Sequence, residues 1–267
     1  MDVLGQVERW PAETVAVVVL RNAELLAAHG PRDHVFRWAS VTKLATALAV
    51  LVAAEEGVLD LDEPAGPPGS TVRHLLAHAA GLPFEGRVPI AKPGQRRIYS
   101  NTGFEVLGET LGRAAEMPFS EYLAAAVLQP LGMAAELRGT PGAGLYGSLD
   151  DLVRLAAELQ RPALVAPETL AEATSVQFPG LDGVLPDLGR MEPNDWGLGF
   201  ELRDHKSPHW TGAHNSPHTF GHFGGSGTFL WVDPEPGVAL ACLTDLDFGD
   251  WALEAWPRFS DAVLESA

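Results

Sequence analysis

Ser40-Val41-Thr42-Lys43 sets a hydroxyl and an amine three residues apart. On a helix that spacing puts both side chains on one face, where the serine can hand its proton to the lysine. A lysine in the first turn faces the positive end of the macrodipole, and burial adds a desolvation cost to its charged form. Both effects favour the neutral amine, and the same dipole favours a developing alkoxide, so the tetrad has the makings of an activated nucleophile. Taken alone, Ser-x-x-Lys is more often a serine N-cap followed by an exposed lysine. The context argues otherwise, because Leu44, Ala45, Ala47, Leu48, Leu51 and Val52 make a helix apolar on most faces, with no solvated side for Lys43.

Two further groups could serve such a nucleophile. Tyr99-Ser100-Asn101 follows the turn signal Lys92-Pro93-Gly94, which predicts that Tyr99 and Asn101 project from a loop. A phenol beside a lysine ammonium ionises more readily and can shuttle a proton, while Asn101 can donate to a substrate carbonyl and accept from Lys43. Alone, the triplet is an aromatic loop anchor with an Asx turn. His222-Phe223-Gly224-Gly225 leads into an apolar strand. Its glycines let a substrate lie close to the backbone with an N–H facing an oxyanion, or else mark a glycine-rich strand entry beside a core histidine.

The elements that must position these residues are legible in outline. Thr14 to Leu20 is β-branched and apolar, and Arg21 to Glu24 turn it into a hairpin with Leu25 and Leu26. The apolar helix after Ser40 closes at Glu55-Glu56-Gly57. Helices are predicted over 71–82, over 104–133 with a break at Met117-Pro118, and over 149–159. Prolines at 162, 167, 179, 186 and 193 predict long surface loops over 160–195. Strand texture returns over 228–232 and 238–243, and a last helix is predicted from about 251 to 264. Strands at both chain ends around a helical middle predict an α/β fold of α+β type. Its central antiparallel sheet is built from both termini and flanked by helices, as a single domain with sheet parts at about 1–60 and 200–267 and a mainly helical part at about 61–199.

Composition narrows the function. The chain has 267 residues, 46% hydrophobic, and a formal charge of −17, which disfavours nucleic acid and anionic membranes as partners. The longest apolar stretch, 44–54, is too short to span a bilayer. The amino terminus reads unlike a secretory signal, and Cys242 is the sole cysteine, so the expected compartment is the cytoplasm. Cys242, flanked by apolar residues, reads as a buried strand residue rather than a nucleophile. His205, His209, His214, His218 and His222 invite a metal hypothesis, but Pro208, Gly212 and Pro217 break any helix that would align them, and a solvated loop beside the cleft is the preferred reading. His78, before Gly81, reads as a turn anchor.

Taken in order, Ser40-Val41-Thr42-Lys43, Tyr99-Ser100-Asn101 and His222-Phe223-Gly224 resemble the three motifs of serine β-lactamases and penicillin-binding proteins. The Tyr-x-Asn form is similar to class C enzymes, to the DD-carboxypeptidases of that type and to esterases sharing their fold. The resemblance spans roughly residues 30–245. It implies a serine hydrolase working through an acyl-enzyme on a small-molecule acyl substrate, with no metal and no cofactor. Ser40 attacks a carbonyl, Lys43 and Tyr99 manage its proton, Asn101 helps hold the acyl group, and the N–H groups of Ser40 and Gly225 form the oxyanion hole. Where many relatives carry lysine, this chain has His222, mostly neutral near pH 7, which leans toward an esterase or small-acyl amidase over a β-lactamase or D-amino-acid peptidase. A catalytically silent descendant that binds an acyl compound or partner is the competing class. The sequence does not specify an oligomeric state.

Overall fold

A computed structural model of the chain describes residues 2–267. A 3-10 helix, Asp2–Arg9, leads into the hairpin β1 (Val15–Arg21) and β2 (Glu24–His29), which turns through Asn22 and Ala23, both at positive φ. The short strand β3 (Phe36–Arg37) precedes helix α1 (Thr42–Glu55), and α2 (Val72–Leu76) follows. Then come β4 (Arg97–Ile98), α3 (Asn101–Ala114), and α4 (Phe119–Leu123), which runs on into a π-turn over Ala124–Leu128. Strands β5 (Glu136–Leu137) and β6 (Leu145–Gly147), helices α5 (Leu149–Gln160) and α6 (Pro167–Ala173), and strands β7 (Gly183–Leu185) and β8 (Gly189–Met191) complete the middle of the chain. The carboxyl end supplies β9 (Glu201–Leu202), β10 (Phe220–Gly224), β11 (Thr228–Asp233), β12 (Val238–Thr244) and α7 (Asp250–Ser266).

The main sheet runs β2-β1-β12-β11-β10-β9, antiparallel throughout, so the two chain ends meet at the β1–β12 pair as the sequence predicts. Both faces of its central strands are covered, and the period of two sorts those strands between two cores, while the edge strand β2 stays largely exposed. Ala16, Val18 and Leu20 of β1 pack toward α1 and α5, whereas Val17 and Val19 pack with Trp256, Phe259 and Val263 of α7. That double burial explains why β1, β11 and β12 read as continuous apolar runs instead of alternating ones.

Three expectations need correction. The helix expected over 71–82 stops at Leu76, because His78 (φ +53°) and Gly81 (φ +83°) enter the left-handed region, and a Cβ at Gly81 would lie 2.1 Å from the Ala91 carbonyl oxygen. Asn101 does not project from a loop but begins α3, whose N-cap is Ser100, with Oγ accepting from the Gly103 N–H at 2.9 Å. The stretch 160–195 is not all loop: Pro167 opens α6 as its first residue, and β7 pairs in parallel with β4.

Candidate active site

Strand β3 and the turn after it present Ser40. Ala39, at φ +45°, holds a left-handed conformation that costs a non-glycine residue on the order of 1–3 kcal/mol, and it turns the chain from Trp38 into the 3-10 turn Ala39–Val41 that feeds α1. Strand β10 abuts this turn. A Cβ on Gly224 would lie 2.5 Å from both the Trp38 carbonyl oxygen and Thr228 Oγ1, so Gly224 makes room for protein backbone rather than for substrate.

Lys43 is fully buried in the first turn of α1. Its neighbours on the helix fix what it meets: Thr42 Oγ1 accepts from the Leu145 N–H at 3.0 Å, and Thr46 Oγ1 donates to the Pro141 carbonyl at 2.6 Å, which seats residues 141–145 over the lysine. Lys43 Nζ then stands 2.7 Å from Asn101 Oδ1, 2.8 Å from the Gly142 carbonyl oxygen and 3.2 Å from Ser40 Oγ. Burial pushes its pKa well below the ordinary lysine value. A neutral amine has two N–H bonds and one lone pair. The two acceptors take the N–H bonds, and the lone pair is left for the Ser40 hydroxyl proton.

Tyr99 stands on the other side of Ser40, its hydroxyl donating to Ser40 Oγ at 2.7 Å. The expected easing of its ionisation does not occur. Burial raises the phenol pKa above its usual value and pushes the neighbouring amine toward its neutral form, so Tyr99 keeps its proton and faces Ser40 as a donor. His222 Nδ1 lies 2.7 Å from the Phe223 carbonyl oxygen, which fixes the proton there and leaves Nε2 as a lone pair 3.5 Å from the Tyr99 hydroxyl. Only 2% exposed, His222 is pushed down to about 3, first by burial and then by the proximity of Lys43. Among the described residues neither the Ser40 nor the Gly225 backbone N–H meets a protein acceptor, and Gly225 lines the Ser40 cavity. Two free donors at the edge of that cavity suit an oxyanion.

The family model named Beta-lactamase matches residues 7–135 and 134–264. The chain belongs to the Beta-lactamase family. A crystal structure of a β-lactamase from Mycobacterium bovis aligns at 54% identity and a TM-score of 0.98, over 99% of this chain and 98% of that one. Esterase EstB of Burkholderia gladioli is 26% identical over 80% of this chain and 78% of its own. Penicillin-binding protein 4* of Bacillus subtilis is 27% identical over 38% of this chain, and the match spans 30% of that protein, under a third of its length. Membership in the Beta-lactamase family bears out the expected fold and, with it, the class of serine hydrolase.

Within this Beta-lactamase-family site, His78, which the sequence marks as a turn anchor, also holds the Tyr99 segment, while Trp196 and Phe84, with no motif of their own, are found only in the structure. His78 clamps the Tyr99 segment twice: its carbonyl accepts from the Ile98 N–H at 2.8 Å, and its ring Nδ1 accepts from the Ser100 N–H at 3.2 Å. Held at both flanks, the Tyr99 side chain is aimed at Ser40. Burial keeps His78 well below the usual imidazole pKa, and its Nε2, which has no hydrogen-bond partner, lies in a ring set edge-to-face against Trp196 at 4.7 Å. Trp196 and Phe84 wall the Ser40 cavity. The reading of the histidine run as one solvated loop needs correction. His205, His214 and His218 are exposed, but His209 is 8% exposed, with Nε2 2.9 Å from Glu201 Oε2, and His222 belongs to the site.

Proposed function

We propose that the protein is an esterase of small acyl substrates, with Ser40 as nucleophile, Lys43 as the base that takes its proton, and Tyr99 as the acid toward the leaving alcohol. Ser40 Oγ bonds to the ester carbon as its proton passes to Lys43. The oxyanion is met by the Ser40 and Gly225 N–H groups and the acyl group by Asn101 Nδ2. Collapse expels the alcohol, protonated by Tyr99, which regains a proton from Lys43, and water repeats the cycle on the acyl-enzyme.

The observation that favours an ester over a β-lactam or a peptide with a terminal carboxylate is His222. Where many relatives offer a fixed cation, this site offers a buried imidazole pushed down to about 3, and Asp187 lines the same cavity. Lys43 serves as the base, and among the described residues no lysine or arginine lines the Ser40 cavity to engage a substrate carboxylate. The second reading, β-lactam hydrolysis, is favoured by the 54%-identical structure, which is named a β-lactamase. Lone, buried Cys242 asks for no oxidising compartment, and the proposed location is the cytoplasm; among the described residues no helix is long and apolar enough to cross a membrane.

The test is intact-protein mass spectrometry of wild type and Ser40→Ala against p-nitrophenyl esters, nitrocefin and a D-Ala-D-Ala peptide, with product release followed in parallel. Ser40-dependent turnover of the esters, exceeding that of nitrocefin and the peptide, is the expected result. A preference for nitrocefin would install the second reading. A folded protein that forms no adduct with any of them would point to a silent binding protein.

A further inference from the structure

The cavity at Ser40 holds about 140 Å³, well under the roughly 300–1,000 Å³ of the pockets that take drug-sized ligands. It shares Phe84, Tyr99 and Pro186 with a second cavity of about 620 Å³. A substrate much larger than an acetyl ester therefore places most of its mass in this adjoining groove. The groove is built between the 84–98 segment and the β7–β8 hairpin, a pairing held by the parallel β4–β7 ladder. Phe84, Ile90 and Val184 line it while 50%, 56% and 57% exposed, and Ile98 adds to the same wall. Single exposed apolar side chains are ordinary, but three on one groove that leads to a reactive group, with half-buried Ile98 beside them, mark a surface meant to be covered. Phe84 stacks on Tyr99 at 5.9 Å and 23°, so this wall is continuous with the reaction centre.

The polar side of the groove has one unmatched charge. Arg97 is buried, lies 3.9 Å from Asp195 Oδ1 and donates to the carbonyls of Asn194, Gln177 and Phe178. Arg190 is engaged by Asp182, at 3.3 Å, and by Glu192. Arg96 is exposed, donates one N–H to the Ile90 carbonyl at 3.3 Å and, among the described residues, pairs with no carboxylate. In a chain of formal charge −17, an uncompensated guanidinium beside the site is the natural partner of an anion, with its remaining donors set for planar recognition.

We propose that the groove takes the long arm of the substrate, an apolar chain ending in an anionic group, carboxylate or phosphate, that reaches Arg96. The assignment rests on Ser40 being the nucleophile. The reacting ester itself sits in the uncharged cavity, and the anion is read at the far end of the chain.

Two ester series test this, followed by proton release: ethyl esters of straight-chain acids from acetic to octanoic, and acetates of straight-chain alcohols of the same lengths. In one series kcat/KM rises at least tenfold with length, and a terminal carboxylate on the longest member raises it about fivefold more at low salt. Ile90→Ser with Val184→Ser lowers the long-to-short ratio at least threefold, and Arg96→Gln removes the gain from the carboxylate. Flat profiles in both series, with the acetate still turned over, overturn the groove while leaving the nucleophile in place. A carboxylate that gives no gain, or a gain that survives Arg96→Gln, overturns the anion end. If the acetate is not turned over and a fluorophosphonate leaves Ser40 unlabelled, the nucleophile fails and the groove assignment falls with it.

Discussion

Two groups of buried ionisable side chains flank Trp196, and they resolve the cost of burial in opposite ways. On one side Lys43, His78 and His222 are buried and Tyr99 half-buried, none of them paired with a carboxylate among the described residues, and each is driven toward its neutral form. On the other side Lys206 Nζ lies 2.5 Å from Glu201 Oε1 and 5.9 Å from the Trp196 ring centroid, and Glu201 Oε2 also accepts from Trp210 Nε1 at 3.0 Å. Burial would raise the Glu201 pKa, but Lys206 and His209 overcome it and hold the carboxyl down to about 2. The counter-charge of Lys206 keeps Glu201 an ion, whereas for His209, 2.9 Å from the same carboxylate, burial outweighs the pairing and still lowers the imidazole pKa. Neutral groups can exchange protons with a nucleophile at little cost. A paired ion instead fixes the backbone around Trp196, through the Asp195 and Leu202 carbonyls that Lys206 also holds.

The largest expected effect that would break this contrast concerns the neutral side. Ser40→Ala lowers kcat/KM by about 10³-fold or more with an unchanged melting temperature. Lys43→Arg, a cation that cannot shed its proton, lowers kcat about 10²-fold or more, and retained activity there would show that Lys43 works as a charge. In wild type the alkaline rise of kcat/KM reaches its plateau well below pH 10.5, because the folded lysine releases its proton early.

The paired side responds in stability. Glu201→Gln strands the Lys206 ammonium and costs about 3 kcal/mol in urea denaturation, and adding Lys206→Met recovers much of it. A Glu201→Gln protein as stable as wild type would mean that the ions do not depend on one another.

The smallest effect separates the histidines. His78, His209 and His222 all have folded pKa values below 6.5, so below about pH 6.5 the unfolded chain binds protons that the folded chain refuses. Stability therefore falls as pH drops, by about 1.4 kcal/mol per pH unit for each such histidine until its folded pKa is reached. His222→Asn removes one histidine's share of that slope between pH 6 and pH 5, and an unchanged slope would mean that His222 is charged in the native state.

Much of this was legible in the chain itself. The Ser40–Lys43 spacing, the apolar helix around it and the β-branched runs at both ends report on near neighbours or on a period, and a sequence displays both. Less legible were the start of α3 and the role of His78. Ser100 caps a helix whose N3 residue is Gly103, without the acidic or amide side chain that completes a capping box, so its signal was weak. His78 acts through residues 98 and 100, which a separate loop brings back to it.

The sequence by itself determined which chemistry was available: a serine, a lysine and a tyrosine in an order that matches one family, in a chain with enough apolar residues to bury them. Tertiary structure alone decided their protonation. Whether Lys43 is a base or an ion, and whether Tyr99 gives a proton or has lost one, depends on burial, on the Gly142 carbonyl and on Asn101. Those partners lie 58 and 99 residues away along the chain. Desolvation and hydrogen bonding act through space, so the fold sets what the residue types leave open.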